Sequence, residues 1–396
     1  MQREQFAGLA SYSIPELFRS LPTPVYILDE ARLRHNGEIL KGLQDCTGCK
    51  VLLAQKAFSN FNLYPLLRPY LAGTESSGLF ESRLGKEELP DCENHVFCAA
   101  YREEDFDELL QYADHIVFNS PSQLRRFGAR AKAAGKSIGL RVNPECSTQE
   151  GHAIYDPCAP GSRLGTTRAQ WDLDMTPDLI ALLDGIHFHS LCEQDSDALC
   201  VTAEAVFQKF GDILPKLQWI NFGGGHHITR ADYHLAELEA LILRTQKTYD
   251  VTVYLEPGEA WALNAGYLVT SVLDVLKNGD MSLAIVDTSA ACHMPDVLEM
   301  PYRPPLMQEQ ENGAYRYRLG GPTCLAGDIL GDFSFARPLQ IGERLVFGDM
   351  AIYTTCKNNT FNGMPLPDIF ALSEDGALRR LTQFSYQDFK NRLGSK

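Results

Sequence analysis

The stretch Val51-Leu52-Leu53-Ala54-Gln55-Lys56-Ala57 decides how the rest of the chain is interpreted. Its first four residues form an apolar run of strand length, and a turn-like sequence, Cys46-Thr47-Gly48-Cys49, comes just before it. Lys56 therefore follows the carboxyl end of a predicted strand. A lysine held there by a buried strand can lose solvation and attack a carbonyl carbon as the free amine. The simpler alternative is a solvated lysine at a strand end, and the residues further along the chain decide between the two.

Short strand candidates recur along the chain. They lie near residues 50–54, 71–75, 95–99, 115–118, 138–142, 185–189, 218–222 and 251–255. Amphipathic helical stretches separate several of them, such as the one that starts at Pro121 with Ser120 as its N-cap and ends before Gly135. This alternation predicts a (β/α)₈ barrel. A doubly wound open sheet is the alternative, but it would need a glycine-rich motif after its first strand.

The sequence pattern changes after about Gly266. Strand-like runs with glycine and proline between them lie at 267–275, 281–286, 314–319 and 343–347, whereas helical periodicity is rare. Together with a strand at 25–28, these runs predict a second domain that is rich in β-structure. We therefore expect a barrel domain over residues 30–265 and a β-rich domain built from residues 1–29 and 266–396.

Composition excludes several classes of function. The 396 residues carry 36 Lys and Arg against 51 Asp and Glu, a net charge of −15, so nucleic acids and anionic membranes are poor partners and cationic ligands are favoured. The amino terminus has no apolar signal core, and no apolar run could span a bilayer. Eleven scattered cysteines indicate reduced thiols in the cytoplasm. Because Cys46 and Cys49 have no second pair, and because the sequence has no HExxH, we predict no metal site.

Residues suited to chemistry follow several of the predicted barrel strands. The carboxyl ends of barrel strands meet at one face, where such enzymes place their active sites. These residues are Lys56, Asn143-Pro144, His189, Gly223-Gly224-Gly225 and Glu256-Pro257-Gly258. The three glycines let backbone N–H groups wrap a phosphate without obstruction by Cβ atoms. Each feature also has a simpler interpretation, as a flexible turn, a structural histidine or a solvated acid.

Taken together, the lysine, the glycines, the imidazole and the carboxylate indicate pyridoxal 5'-phosphate. Lys56 would hold the aldehyde as a Schiff base, and Gly223–Gly225 would hold the phosphate. His189 would stack on the ring, and Glu256 would keep the pyridine nitrogen protonated, so that the ring accepts electrons. His187 alternates with His189 along one strand, so we expect only one of the two imidazoles to face the barrel interior.

Motifs along nearly the whole chain resemble the fold-type III pyridoxal-phosphate amino-acid decarboxylases, the group of ornithine and diaminopimelate decarboxylases. They are Thr23–Tyr26, Lys56-Ala57, Arg141–Pro144, Ser162–Gly165, Gly185–His189, Asn221–Gly225, Glu256–Gly258, Gly321–Cys324 and Gly348–Tyr353. The resemblance implies an alanine racemase-like (β/α)₈ barrel with a C-terminal β domain, pyridoxal phosphate as cofactor, and a homodimer with shared active sites. It also implies that Tyr353 lies near the phosphate, that Cys324 protonates the α-carbon in the site of the partner subunit, and that Asp328 contacts the distal amine of the substrate.

Departures from the usual family motifs narrow the substrate. Glu259 follows Glu-Pro-Gly where relatives typically carry Arg, which disfavours a second carboxylate and favours a polycation. Ser190-Leu191-Cys192 follows His189 where relatives tend to carry Gly-Ser, so part of the phosphate site differs. Residues 292–305 and 321–328 resemble the branch that decarboxylates carboxynorspermidine and carboxyspermidine in polyamine biosynthesis. We expect this reaction, with further substrate contacts from Glu259, Asp296, Glu299 and Arg303.

Several alternatives stay open at this stage. Ornithine, lysine or diaminopimelate would be decarboxylated by the same machinery. An alanine racemase shares the barrel but needs bases on both faces of the cofactor and generally a weaker electron sink than Glu256 provides. A pseudoenzyme that binds a regulatory partner, or a small cofactor carrier, is the non-enzymatic alternative. Pseudoenzymes usually lose the lysine or the cysteine, and carriers lack the C-terminal β domain.

Overall fold

The computed structural model describes residues 4–10, 14–18, 20–149 and 156–394. The chain forms two compact units, one from His35 to Trp261 and the other from Met1–Arg34 together with Ala262–Lys396. After a 3-10 turn at Glu4–Leu9, the first elements are helix α1 (Ile14–Leu17), strand β1 (Val25–Asp29) and helix α2 (Glu30–Thr47).

Eight parallel strands in the first unit close into a barrel. They are β2 (Lys50–Ala54), β3 (Gly73–Ser76), β4 (Glu93–Phe97), β5 (His115–Phe118), β6 (Ser137–Arg141), β7 (Gly185–His187), β8 (Trp219–Asn221) and β9 (Thr252–Leu255). Each strand pairs with its successor, and β9 pairs back onto β2, with Lys50 opposite Tyr254. Every strand end lies within two residues of the predicted one. The predicted barrel is therefore confirmed.

Aromatic and small residues fill the barrel interior together. Leu52, Val117, Trp219 and Tyr254 form one buried cluster. The indole of Trp219 lies against β7, where a Cβ atom added to Gly185 would come within 2.0 Å of the ring. A large side chain on one strand is thus accommodated by a glycine on its neighbour, as expected for layered packing inside a closed barrel.

Helices connect the barrel strands. They are α3 (Tyr64–Leu67), α4 (Leu79–Glu88), α5 (Glu103–Tyr112), α6 (Pro121–Ala133), α7 (Arg168–Asp174), α8 (Pro177–Ile180), α9 (Ser196–Phe210), α10 (Leu235–Tyr249) and α11 (Glu259–Ala262), with 3-10 turns at Phe61–Leu63 and Leu214–Lys216. At the start of α6, the side chain of Ser120 accepts a hydrogen bond from the Gln123 N–H at 3.3 Å, which is the predicted N-cap. Gly135 follows the helix with φ +73°, which is the predicted stop.

The second unit is a mixed sheet with short helices. Its remaining elements are β10 (Gly266–Asn278), β11 (Met281–Val286), α12 (Ala290–His293), α13 (Asp296–Glu299), β12 (Tyr315–Gly320), β13 (Ile329–Phe335), β14 (Arg344–Gly348), a 3-10 turn at Phe361–Gly363, β15 (Asp368–Leu372), β16 (Leu378–Thr382) and α14 (Tyr386–Asn391). The strand order is β13-β12-β11-β10-β1-β15-β16, and β14 also pairs with β10. All five residues of β1 are buried between β10 and β15. The amino-terminal strand therefore completes the β-rich sheet, which confirms the predicted fold class.

Strands β13, β15 and β16 are absent from the sequence prediction. β13 contains Gly331 at φ +142°, which interrupts its apolar pattern, and β16 has the sequence Leu-Arg-Arg-Leu-Thr, which shows no apolar alternation. Their register comes from pairing with β12 and β15, which lie elsewhere in the sequence. Within the described ranges, none of the helices has both the length and the apolar composition needed to cross a membrane.

Candidate active site

A cavity of about 770 Å³ lies at the carboxyl ends of the barrel strands. All of the residues that line it belong to the barrel unit. They are Lys56, Glu75, Ser77, Phe97, Cys98, Ala99, Arg141, Asp156, Pro157, Ala159, Pro160, Gly161, Ser162, Arg163, Leu164, His189, Leu191 and Cys192. The volume lies in the range of pockets that hold a small-molecule cofactor with its substrate.

Lys56 occupies a tight turn directly after β2. The Ala57 N–H donates to the Ala54 carbonyl at 3.1 Å, and the Gln55 N–H donates to the Glu75 carbonyl of β3 at 3.0 Å. The Gln55 side chain is buried; its amide donates to Ser76 Oγ at 2.8 Å and its carbonyl accepts from the Tyr64 hydroxyl at 2.9 Å. The residue before Lys56 is therefore fixed from both sides, and the turn presents the half-buried lysine to the cavity.

Glu256, just past the end of β9, is a buried carboxylate with two side-chain donors. His187 Nε2 lies 2.9 Å from one of its oxygens, and Asn221 Nδ2 lies 2.6 Å from the other. Burial alone would raise the pKa of Glu256, but the positive charge and the hydrogen bond of His187 outweigh burial and lower this pKa below the ordinary value. The His187 Nε2–H therefore donates to an ionised carboxylate.

The two histidines differ from the sequence expectation that only one faces the barrel interior. The His187 ring stacks on Phe97 of β4 at 5.5 Å between centroids, which is possible only through the interior because two strands separate β4 from β7. His189 lines the cavity as well. The expectation was wrong because β7 ends at His187, so His189 lies in a loop to which strand alternation does not apply.

The glycine loop after β8 binds side chains of the site through its backbone. The Gly223 N–H donates to Asn221 Oδ1 at 2.8 Å, and the Gly224 N–H donates to His189 Nδ1 at 3.1 Å. Gly225 has φ +81°, and an added Cβ atom would come within 2.1 Å of the Leu191 carbonyl oxygen, so no other residue fits there. Burial, followed by the charge of Lys56, lowers the pKa of His189 well below its ordinary range, which makes this imidazole a neutral acceptor.

Arg141, the last residue of β6, is a cation that was not assigned a role from the sequence. Its guanidinium lies 4.5 Å from the centre of the Phe97 ring and donates to the His189 carbonyl at 3.1 Å. Burial lowers the pKa of Arg141 to about 10, which leaves it charged at neutral pH. The criterion that identified Lys56, a position at the carboxyl end of a barrel strand, would also have identified Arg141.

Glu75 in β3 is the second residue that the sequence argument did not single out. Its side chain lines the cavity with only 3% of its surface exposed, and Oε2 has no hydrogen-bond partner among the described residues. Burial, and then repulsion from Glu256, raises the pKa of Glu75 to about 8. The barrel therefore holds two buried acids in different states at neutral pH: Glu256 is ionised, whereas Glu75 keeps its proton.

Glu259, the residue that follows Glu-Pro-Gly, contacts an imidazole of the same unit. Its carboxylate pairs with His227 Nε2, and both side chains are mostly buried. Two residues after His227, Thr229 Oγ1 donates to the carbonyl of Ala260, the residue after Glu259, at 2.7 Å. The loop after the glycines is thus fastened to the first turn of α11 by two contacts.

In the second unit, Cys324 and Asp328 lie in one turn between β12 and β13. Cys324 is exposed, and its backbone N–H donates to Asn362 Oδ1 at 2.7 Å. Asp328 is buried and accepts from Thr323 Oγ1 at 2.7 Å and from Ser289 Oγ at 3.0 Å. Asp328 therefore holds the turn that carries the thiol.

The other acids and bases assigned from the sequence in this unit lie in ion pairs. Asp296 and Glu299 of α13 both contact the ammonium of Lys357. Arg303 pairs with Glu309, and its guanidinium lies 4.8 Å from the centre of the Phe333 ring. Tyr353 is half-buried, with a left-handed backbone at φ +49°.

A cluster of potential metal ligands lies at the amino ends of the barrel strands. Glu93, His95 and His115 bring ligand atoms within 4.8 Å of one another. The two imidazoles, however, stack almost parallel with 3.9 Å between ring centres, an orientation in which their nitrogens do not point at one ion. The Lys50 ammonium already contacts Glu93 and balances its charge.

Comparison with known proteins identifies close relatives. The model of the family described as pyridoxal-dependent decarboxylase, C-terminal sheet domain, matches residues 25–351. Carboxynorspermidine/carboxyspermidine decarboxylase of Campylobacter jejuni is 39% identical over 95% of this chain and 99% of its own length. Carboxyaminopropylagmatine decarboxylase of Synechocystis is 40% identical over 95% of this chain and 96% of its own. A crystal structure of the Campylobacter jejuni carboxynorspermidine decarboxylase complexed with norspermidine superposes with a TM-score of 0.85, at 38% identity, over 94% of this chain and 100% of the other.

Proposed function

Because this chain belongs to the pyridoxal-dependent decarboxylase family, we propose that it removes the α-carboxylate of a carboxylated polyamine and releases the polyamine. Carboxynorspermidine and carboxyspermidine are the proposed substrates, with norspermidine and spermidine as products in polyamine biosynthesis. The observation that carries this proposal is a cavity lined by Lys56, in a chain 39% identical to a carboxynorspermidine/carboxyspermidine decarboxylase over nearly its full length.

The residues around the cavity fit pyridoxal 5'-phosphate. Lys56 supplies the amine, His189 supplies a neutral ring and Glu256 supplies a carboxylate that is ionised at neutral pH. Gly225 has a backbone conformation that excludes any side chain, which suits a seat for phosphate formed by Gly223–Gly225. When bound to Lys56, the cofactor supplies an electron sink that stabilises the negative charge left on the α-carbon as CO₂ departs.

Each protein group then has a defined task. Glu256, ordered by His187 and Asn221, would hold a proton at the nitrogen of a bound pyridine ring. His189, oriented by the Gly224 N–H, would support the face of that ring. Arg141, which lies over the Phe97 ring, adds a fixed positive charge to the cavity. Two of the three glycine amides are already bonded within the barrel, so they position side chains as well as any phosphate.

We propose a homodimer in which the Cys324 thiol of one subunit returns the proton to the α-carbon in the site of its partner. Within its own unit, Cys324 is exposed, and the neighbouring Leu325 exposes 42% of its surface, as expected for residues that a second subunit covers. Asp328 holds this turn in place. The family resemblance implies that Asp328 also contacts the distal amine of the substrate. All eleven cysteines are free thiols, which supports a cytoplasmic location.

The acidic groups are the proposed contacts for the far amines of the substrate. Glu259 carries its charge where relatives typically carry a cation, and Asp296 and Glu299 share one lysine between two carboxylates. An ammonium group of the substrate can replace Lys357 in that arrangement without leaving an acid unpaired. Arg303 is the remaining assigned contact, and its guanidinium is already bonded to Glu309.

The Synechocystis relative favours a second candidate substrate, carboxyaminopropylagmatine. That molecule ends in a guanidinium group instead of an ammonium group, and a carboxylate can bind a guanidinium with two parallel hydrogen bonds. If the enzyme prefers carboxyaminopropylagmatine, then Glu259, Asp296 and Glu299 are the proposed contacts for its planar guanidinium group.

The first experiment is CO₂ release by the purified protein with carboxynorspermidine, carboxyspermidine, carboxyaminopropylagmatine, ornithine, lysine and diaminopimelate, alongside absorbance spectra with and without Lys56→Ala. We expect a Schiff-base absorbance band that Lys56→Ala removes, and turnover of a carboxylated polyamine only. Turnover of ornithine or lysine would contradict the assigned substrate. Absence of the band after addition of the cofactor would contradict the decarboxylase itself.

A mixing experiment tests the shared site. Lys56→Ala and Cys324→Ala proteins, each inactive alone, are mixed and allowed to exchange subunits. If each site takes Lys56 from one subunit and Cys324 from the other, random exchange restores about one quarter of wild-type activity, because half of the dimers are mixed and each has one intact site. No recovery, with exchange verified by a mass tag, would show that one subunit supplies both residues.

A further inference from the structure

Glu75 is a buried acid in the cavity that the reaction described above does not use. Its carboxyl group has one oxygen without a hydrogen-bond partner among the described residues, and almost none of its surface is exposed. A charged carboxylate in that position would lack the donors that offset the cost of desolvation. A neutral carboxylic acid avoids that cost and can donate a hydrogen bond into the cavity.

Strand register brings Glu75 close to Lys56. In the β2–β3 ladder, Glu75 lies opposite Ala54, and the Gln55 N–H donates to the Glu75 carbonyl oxygen. Lys56 follows one residue later, and both side chains line the same cavity.

The charges around Glu75 come from five elements. Lys56 follows β2, Glu256 follows β9, Glu81 belongs to α4, Arg141 ends β6 and Tyr101 follows β4. The two cations favour the ionised form of Glu75, whereas burial and the two acids oppose it, with the net result of a pKa of about 8. Glu256 is the acid of the pair that stays ionised, because it has two donors.

We propose that Glu75 is the acid–base partner of Lys56, holding a proton while the lysine is attached to the cofactor and passing it to the lysine amine when that amine is released. This inference rests on the proposed function. The O–H bond of the Glu75 carboxyl group breaks, and an N–H bond forms at Lys56 Nζ, which gives a carboxylate and an ammonium that attract each other. The proton returns to Glu75 when the lysine reattaches, so the net charge of the pair stays constant.

The decisive variant is Glu75→Gln, which matches the neutral acid in shape but cannot release a proton. Glu88→Gln, at an exposed acid of α4, is the matched control. The infrared experiment uses the cofactor-free Lys56→Ala protein, in which no lysine amine can take the proton from Glu75. Its spectrum is expected to contain a carbonyl band of a protonated carboxylic acid at neutral pH, which persists when Glu88→Gln is added and disappears when Glu75→Gln is added. Absence of this band from the Lys56→Ala protein would overturn the proposal, whether or not the protein decarboxylates anything.

The second readout uses the holoenzyme. Glu75→Gln is expected to lower kcat by roughly 10²-fold, with little change in KM, and to remove the ionisation near pH 8 from the pH profile of kcat. Glu75→Asp, which can still carry the proton, is expected to recover part of the rate. A Glu75→Gln enzyme with wild-type kcat and pH profile would show that Glu75 only fills space. If no substrate turns over in the wild-type enzyme, the proposed function fails, and the infrared result still decides the protonation of Glu75.

Discussion

Asn221 connects the Glu256 carboxylate to the glycine loop of the candidate active site, and its removal is the sharpest test of that geometry. The side chain is fully buried at the end of β8. Its Nδ2 donates to the Glu256 carboxylate at 2.6 Å, and its Oδ1 accepts from the Gly223 N–H at 2.8 Å. Asn221→Ala therefore deletes a hydrogen bond to a charged group and leaves a buried amide of the glycine loop without a partner.

The magnitude follows from those two contacts. A hydrogen bond to a charged group contributes about 1.5–3 kcal/mol, and a neutral one contributes about 1 kcal/mol. We expect Asn221→Ala to lower the free energy of unfolding of the barrel by about 3 kcal/mol. Asn221→Asp keeps the acceptor for Gly223 but places a second carboxylate against Glu256, so it should destabilise the protein by a similar amount.

The assay is denaturant unfolding of the cofactor-free protein, followed by tryptophan fluorescence. Combining Asn221→Asp with Glu256→Gln separates repulsion from lost packing, because the glutamine removes one of the two like charges. We expect the double variant to be more stable than Asn221→Asp alone. A loss below about 1 kcal/mol for Asn221→Ala, or no rescue in the double variant, would refute the reasoning that these hydrogen bonds organise the site.

Two further predictions concern the barrel itself. Gly185→Ala would place a Cβ atom 2.0 Å from the ring of Trp219 and is expected to lower the free energy of unfolding by at least about 3 kcal/mol. Gly42→Ala, at an exposed position of α2 with no atom within 4 Å, should raise it by about 0.8 kcal/mol. Thermal unfolding of both proteins checks this, and equal effects would contradict the packing described. Burial, together with the neighbouring imidazole of His95, holds the pKa of His115 at about 2, far below the value near 6.5 in the unfolded chain. The contribution of His115 to stability is therefore complete above pH 6.5 and is lost as the pH falls. Between pH 7.5 and 5.5 the wild type should lose about 1.4 kcal/mol more than His115→Gln, whereas the exposed control His35→Gln should follow the wild type.

Much of the fold could be predicted from local sequence pattern. Several barrel strands are short, largely apolar runs between turn residues, and the N-cap of α6 is a serine followed by a proline, so each of these signals lies within a few residues. The polar strand β16 carries no such signal, since its pairing with β15 supplies what its own sequence does not. The carboxyl end of β7 was misplaced by two residues, and for this reason strand alternation was wrongly applied to His189.

The candidate site divides in the same way. The sequence by itself determined the chemical groups that follow the barrel strands, because a strand pattern and the residue after it are read locally. Only the tertiary structure decided that Glu75 and Lys56 line one cavity, and that Asn221 joins the glycine loop to the Glu256 carboxylate. The protonation states of the two acids depend on burial and on donors that are distant in the chain. Those quantities exist only once the barrel has closed.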